Sequence, residues 1–156
     1  MMIQTSRITR RLAVLSLVAA VLLPRRAFAA WPLVTVHKDP NCGCCSGWVA
    51  HLESHGFQVK VIETATLNRV RARLGVPFDV AGCHTAEVGN YLLEGHVPAG
   101  AVERLLTERP KAKGLSVPGM PSGSPGMTGD YEEYEVILFA GDERRVYGRF
   151  KGDKEI

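Results

Sequence analysis

A β-branched run that stops at Asp39-Pro40-Asn41 and leads straight into Cys42-Gly43-Cys44-Cys45 constrains this chain more than any other feature. Leu33-Val34-Thr35-Val36-His37-Lys38 has the composition of a strand, and the Asp-Pro-Asn triplet is a turn signal. From about Cys44 to His55 the pattern predicts a helix. Cys45, Val49 and Leu52 fall at i, i+4 and i+7 with Trp48 beside them, and Gly56 supplies a stop. Phe57 to Ile62 alternates as a second strand. Strand, helix and strand at this spacing make a right-handed βαβ unit with parallel strands. The cysteines then stand where the first strand hands over to the helix.

The remainder extends this unit into one α/β domain. A second amphipathic helix is expected with Leu67, Val70 and Leu74 inward, Arg69, Arg71 and Arg73 outward, and an end near Gly75. Gly89-Asn90 is a two-residue hairpin loop. If Val88 pairs with Tyr91, Cys83 stands opposite His96, with Cβ atoms about 5 Å apart. Alternation puts Cys83, Thr85, Glu87, Leu92, Glu94 and His96 on a polar face, and His84, Ala86, Val88, Tyr91, Leu93 and Gly95 on a more apolar one. A third helix is predicted from Pro98, with Val102, Leu105 and Leu106 inward and Pro110 as the stop. Residues 111–130 are rich in Gly, Pro and Ser and predict a loop that carries Pro-Gly-Met twice. Two strands about Gly141-Asp142, Glu135–Ala140 and Arg145–Phe150, form a C-terminal antiparallel hairpin, after which the chain is expected to fray into a charged tail. The fold class expected is thioredoxin-like: a βαβ unit, an inserted β-hairpin and the C-terminal hairpin.

Residues 1–29 stand apart from this domain and read as a signal peptide. Arg7, Arg10 and Arg11 precede a twelve-residue apolar run, Leu12 to Leu23, and Ala27-Phe28-Ala29 is a small-x-small cleavage signal. The run falls short of the about 20 residues that cross a bilayer, so no stable membrane insertion is expected after cleavage. Thr9-Arg10-Arg11 leaves Sec and twin-arginine export both open. The domain proper is then 30–156, exported to the periplasm. Residues 1–29 hold five arginines and no acid, so they contribute +5 to the formal charge of +3, and the domain itself carries −2. No basic footprint for nucleic acid remains.

All four cysteines lie in the domain. Three of them within four residues close almost no loop, so they make a poor structural staple. Cys42-x-x-Cys45 at the start of a helix in a βαβ unit is the thioredoxin-type redox arrangement. The positive end of the helix dipole favours a thiolate, which serves equally as nucleophile and as metal ligand. A third thiol, Cys44, would divert a mixed disulfide, whereas a soft metal gains from each added sulfur. Cys42, Cys44 and Cys45 from the helix start, Cys83 and His96 from the hairpin, and Met120 or Met127 from the loop form a Cys/His/Met donor set. Such a set suits Cu(I) over Mg or Ca, and zinc seldom takes Met. The thiols that would hold Cu(I), Cys42 and Cys45 foremost, can also reduce Cu(II) by closing a disulfide. Plainer roles fit the other histidines: a polar strand end for His37, solvated helix positions for His51 and His55, and packing for His84. The Arg-rich face of the second helix is read as solvated.

Four motifs in order, Asp39-Pro40-Asn41-Cys42-Gly43-Cys44-Cys45, Gly82-Cys83-His84-Thr85, Glu94-Gly95-His96-Val97-Pro98 and the stretch from Val117 to Met127, resemble the CopG-type family. That family was long known only as a domain of unknown function and is found among bacterial copper-resistance genes. The likeness runs over roughly residues 33 to 150. It implies a periplasmic thioredoxin-like domain that binds copper through its Cys cluster and interconverts Cu(I) and Cu(II) or passes copper on. Copper ions, copper-efflux proteins and other periplasmic copper proteins would be its partners. By analogy, Pro118 takes the place of the cis-proline that faces the thiols of thioredoxin folds, with Met120 near the Cys cluster. Three further readings stand beside this one: a thiol–disulfide oxidoreductase acting on proteins, a [2Fe–2S] protein, and a non-catalytic copper store or chaperone.

Overall fold

The computed structural model describes residues 30–156, so the signal-peptide reading of 1–29 lies outside the described residues. The chain order is β1 (Val34–Lys38), α1 (Gly43–Ser54), β2 (Val59–Glu63), α2 (Leu67–Leu74), a 3₁₀ turn (Phe78–Val80), β3 (His84–Val88), β4 (Tyr91–Gly95), α3 (Ala99–Glu108), β5 (Gly114–Val117), β6 (Glu133–Ala140), β7 (Glu143–Lys151) and β8 (Lys154–Glu155). The eight strands form one sheet in the order β2-β1-β3-β4-β5-β6-β7-β8. β1 and β2 pair in parallel and flank α1, which is the predicted βαβ unit. The β3–β4 hairpin follows it in sequence and takes the centre of the sheet in space, antiparallel to β1. This is the thioredoxin-like core, extended by β5 to β8.

Central strands are covered on both faces, and the side chains divide accordingly. Val34, Val36, Ala86, Val88 and Leu93 face Trp48, Val49 and Leu52 of α1 and Val102 and Leu105 of α3. Leu92 and Phe139 pack on the other face with Val80 and the partly buried Leu74 and Val76. The polar face of the hairpin is therefore interior too: Thr85 and Glu94 are fully buried. Among the described residues no helix is long and apolar enough to cross a membrane.

Three local expectations change. Residues 111–130 contain β5, a buried four-residue strand parallel to β4, where composition predicts loop alone. The charged tail pairs with β7 through Lys154–Glu155 instead of fraying. Every peptide bond among the described residues is trans, that of Pro118 included, so the analogy with a cis-proline fails at this position.

Candidate metal centre

The β1 strand ends at Lys38, and the turn that follows is closed by Cys42 N–H donating to the Asp39 carbonyl at 3.0 Å and Asn41 N–H donating to Asp39 Oδ1 at 2.8 Å. Cys42 takes the N-cap position of α1, with extended backbone and no side-chain cap. The cysteine motif thus sits among unsatisfied backbone N–H groups at the positive end of the helix. Cys42 and Cys45 are joined as a disulfide, with Cα atoms 5.4 Å apart, and Cys44 and Cys83 are free and half-buried. Cys44 Sγ lies 3.6 Å from Cys42 Sγ, and Cys83 Sγ lies 3.6 Å from Cys45 Sγ. All four sulfurs fall within 4.8 Å of one another. The backbone facing the Cys45 sulfur is that of Cys83, whose carbonyl is 3.9 Å away.

The hairpin supplies the second half of the site in the register expected from Gly89-Asn90. Val88 pairs with Tyr91 and Thr85 with Glu94, and just beyond the ladder Cys83 Sγ meets His96 Nε2 at 3.0 Å. His96 Nδ1 donates to the Pro125 carbonyl at 2.6 Å. That bond fixes the tautomer and leaves the Nε2 lone pair aimed at sulfur, the arrangement typical of a metal-ligating histidine. Burial lowers the His96 pKa, which keeps the ring neutral. The Cys83 thiol is pushed up to about 12, first by burial and then by the nearby Cys44. A metal that replaces the proton would relieve that penalty.

The loop of residues 118–130 folds back onto the start of α1, with Gly126 against Gly47, Trp48 and the Cys44 carbonyl. Met127 follows Gly126 and is half-buried, whereas Met120 is 44% exposed with a left-handed backbone.

Several residues have roles that local patterns did not carry. His84 is fully buried, tilted against Trp48 at 4.2 Å between ring centroids, and its Nδ1 lies 3.3 Å from Cys83 Sγ. It is packed, as expected, and it also touches the site. His51 is no solvated helix histidine: its Nε2 accepts the Ala99 N–H at 3.0 Å, capping α3 from α1. His55 and Asp153 lie close to His51. With Nε2 accepting from Ala99 and His55 Nδ1 donating to the His51 carbonyl at 2.9 Å, both histidines are engaged in structural hydrogen bonds. His37 pairs with Glu87 at 3.0 Å.

Arg71 is turned inward, contrary to the solvated reading of its helix face. Its Nε donates to Glu94 Oε2 at 3.3 Å, and its Nη2 donates to the Gly82 carbonyl. Glu94 Oε2 also accepts the Gly82 N–H at 2.9 Å. The pair therefore grips both polar groups of the residue preceding Cys83. Glu94→Gln keeps the shape and removes the charge, and should cost about 2 kcal/mol, the value of a buried charge-assisted hydrogen bond. Urea denaturation of the reduced protein measures it. A change under about 0.5 kcal/mol would show that the pair does not hold this loop.

Burial of the histidines also sets an acid response. Burial holds the His84 pKa down to about 3 and that of His51 to about 4. The unfolded chain takes up these protons below about pH 6.5, while the folded chain does not until near pH 4 to 3, so stability falls as pH drops through that window. Glu94 acts in the opposite sense, because burial raises its pKa and its penalty relaxes as pH falls. For His84 alone the loss amounts to roughly 2 kcal/mol between pH 6.5 and pH 5. His84→Phe should flatten the metal-free protein's stability profile by that amount over the same range. An unchanged slope would refute the assignment.

Residues 80–127 match the family model described as "Protein of unknown function, DUF411". The solved structure titled "Copper resistance protein copG- Form 1" is 41% identical, covering 78% of this chain and 99% of its own, with a TM-score of 0.72. "Copper resistance protein copG- Form 2" is 39% identical, covering 76% of this chain and 98% of its own, with the same TM-score. No curated protein matches the chain.

Proposed function

The chain belongs to the CopG family of copper resistance proteins, and from that premise we propose that it is a periplasmic copper-handling protein that binds Cu(I) on its cysteine cluster and interconverts Cu(I) and Cu(II). The observation that carries this reading is the convergence of four sulfurs within 4.8 Å, with a neutral imidazole nitrogen 3.0 Å from one of them. These donors are soft sulfur and borderline nitrogen, the set that Cu(I) prefers and that hard cations avoid. Cys42, Cys44, Cys45 and Cys83 serve as the thiolate ligands and His96 as the nitrogen ligand. Met127 and Met120 add thioethers from the loop that packs on the Cys44 carbonyl. Residues 1–29 act as the export signal and 30–156 as the single copper-binding domain. Copper-efflux or other periplasmic copper proteins are the exchange partners.

The redox half of the proposal rests on Cys42 and Cys45. As a dithiol they give up two electrons and two protons to close the S–S bond, and two Cu(II) ions take those electrons to become Cu(I). The activity is then that of a copper oxidoreductase. Anaerobic addition of Cu(II) to the reduced protein should yield chelatable Cu(I) in step with the loss of free thiols. Unchanged thiol counts would overturn this half and leave a copper store or chaperone.

A second reading, thiol–disulfide exchange with other proteins, is favoured by one observation: the disulfide occupies the Cys-x-x-Cys positions at a helix start. The two separate cleanly. Titrated with Cu(I) against a competing chelator, the reduced protein should retain copper far above a cysteine-free variant. No retention would return the motif to thiol exchange. Under that reading Cys44→Ser keeps activity and Cys42→Ser abolishes it, whereas copper binding should weaken with either change.

A further inference from the structure

The far end of α1 carries a second cluster of ligand-type side chains. His51 stands in the last turn and His55 at the C-cap, at i and i+4, with ring centroids 4.5 Å apart. Along the helix axis they lie about 9 and 15 Å beyond Cys45. The turn between β7 and β8 brings Asp153 to the same place, and one ligand atom from each of the three residues lies within 4.8 Å of the others. His55 and Asp153 are exposed and His51 is half-buried, so an ion reaches the cluster from solvent. Each ring spends one nitrogen on the fold. His55 Nδ1 donates to the His51 carbonyl at 2.9 Å, so its Nε2 carries the lone pair on a ring that backbone holds in orientation. His51 Nε2 accepts the Ala99 N–H at 3.0 Å, which puts the proton of the neutral ring on Nδ1.

We propose that His51, His55 and Asp153 form a second metal site, for Cu(II) or a divalent transition ion like it, whose occupation releases the N-terminal cap of α3. Two imidazoles and a carboxylate contain no sulfur. Divalent transition ions take such donors readily, with Cu(II) the tightest of the series, whereas Cu(I) favours the soft donors of the cysteine cluster. Calcium and magnesium prefer oxygen alone. The site needs no cysteine and so goes beyond the copper reading above. The release of the cap follows from the ring chemistry, whichever nitrogen of His51 takes the ion. An ion on Nε2 replaces the Ala99 N–H outright. An ion on Nδ1 drives the ring proton to Nε2, where it faces the Ala99 N–H, and two donors cannot bond each other. The rearrangement stays local. Trp48 Nε1 still holds the Val97 carbonyl at 2.8 Å, and the Pro98 carbonyl still accepts from Ala101 and Val102 at 3.0 and 3.2 Å. The first turn of α3 therefore survives the loss of its cap.

Electron paramagnetic resonance tests the site, because it detects Cu(II) and is silent to Cu(I). The disulfide form of the protein is titrated with Cu(II) beyond the two electrons that Cys44 and Cys83 can give. The parent should show a Cu(II) species coupled to two imidazole nitrogens. His55→Gln, at an exposed position, should weaken that species by at least about tenfold and leave one nitrogen, and Asp153→Asn should weaken it while keeping both. Circular dichroism checks that both variants are folded, and the cysteine cluster is common to all three proteins, so the difference reads this site. Zn(II), diamagnetic and bound by the same donors, then allows the Ala99 amide to be followed by nuclear magnetic resonance. Its hydrogen exchange should quicken in the zinc-loaded parent and stay unchanged in His55→Gln. A two-nitrogen species as strong in His55→Gln as in the parent would overturn the proposal, and so would an Ala99 amide that keeps its protection once zinc has bound. Failure here is distinct from failure of the copper reading. A cysteine-free variant should keep this Cu(II) species while losing Cu(I), and loss of the species alone leaves Cu(I) retention on the cysteines untouched.

Discussion

With Cys42 and Cys45 both replaced by serine, Cu(I) production from Cu(II) should fall to the background of buffer. The result follows from which of the four sulfurs are joined. Closing an S–S bond requires two sulfurs whose Cα atoms approach to about 4.4–6.8 Å, and the Cys42–Cys45 pair satisfies this at 5.4 Å. Single substitutions are less decisive. Cys42→Ser leaves Cys45 beside Cys83, and Cys45→Ser leaves Cys42 beside Cys44, each at 3.6 Å between sulfurs, so a substitute pair remains available. The double variant removes one partner from each of these pairs and leaves only Cys44 and Cys83, the two thiols that stay free beside the disulfide. Serine at the fully buried position 45 costs on the order of 1–3 kcal/mol, so circular dichroism and a urea curve accompany the assay. Mixing with Cu(II) in the presence of a Cu(I)-selective chelator reads out the electrons. A yield equal to that of the parent would place the reducing pair elsewhere and remove Cys42 and Cys45 from the redox role.

What the sequence made legible divides along physical lines. Residues whose contacts are set by local periodicity came out directly. The Gly89-Asn90 turn determines the β3–β4 register, and that register alone brings Cys83 to His96, because each residue of a hairpin has a partner once the turn is known. The helix at 43–54 and its Cys45-Trp48-Val49-Leu52 face are equally local. Residues whose partners lie far away in the chain did not come out. Arg71 looks solvated on its own helix; only the position of β4 at the sheet centre shows that Glu94, 23 residues on, is buried beneath it. His51 caps a helix 48 residues away, which no i, i+4 pattern reveals. β5 was hidden for a different reason. Its Gly114 is excluded from carrying a side chain by the Leu92 carbonyl, so a strand at the centre of the sheet has the composition of a loop. Packing against β4 and β6 makes it a strand, overriding propensity.

Gly126→Ala should damage both the stability of the fold and the candidate site. Gly126 has φ +89°, in the left-handed region, and an added Cβ would sit 2.6 Å from the Cys44 carbonyl oxygen and 2.9 Å from the Gly47 carbonyl carbon. These neighbours are helix backbone, which cannot turn aside as a side chain can. The conformational strain contributes about 1–2 kcal/mol and the overlap a further 1–3 kcal/mol, so a loss of about 3 kcal/mol in stability is expected. The damage should reach the site by two routes. If the loop lifts from α1, Pro125 withdraws its carbonyl from His96 Nδ1, freeing the ring to rotate and the Nε2 lone pair to leave Cys83. The same movement carries Met127 away from the helix start. Loss of a hydrogen bond that orients a ligating histidine typically weakens metal binding about 10–100-fold, and a fall of that order in Cu(I) affinity should accompany the loss of stability. Comparison with Gly100→Ala, where a Cβ meets nothing within 4 Å, controls for the added methyl. Should Gly126→Ala lose stability while keeping parental Cu(I) affinity, the loop would be a structural cover and not the support of His96; the two losses arising together would establish that the fold of residues 118–130 holds the imidazole in place.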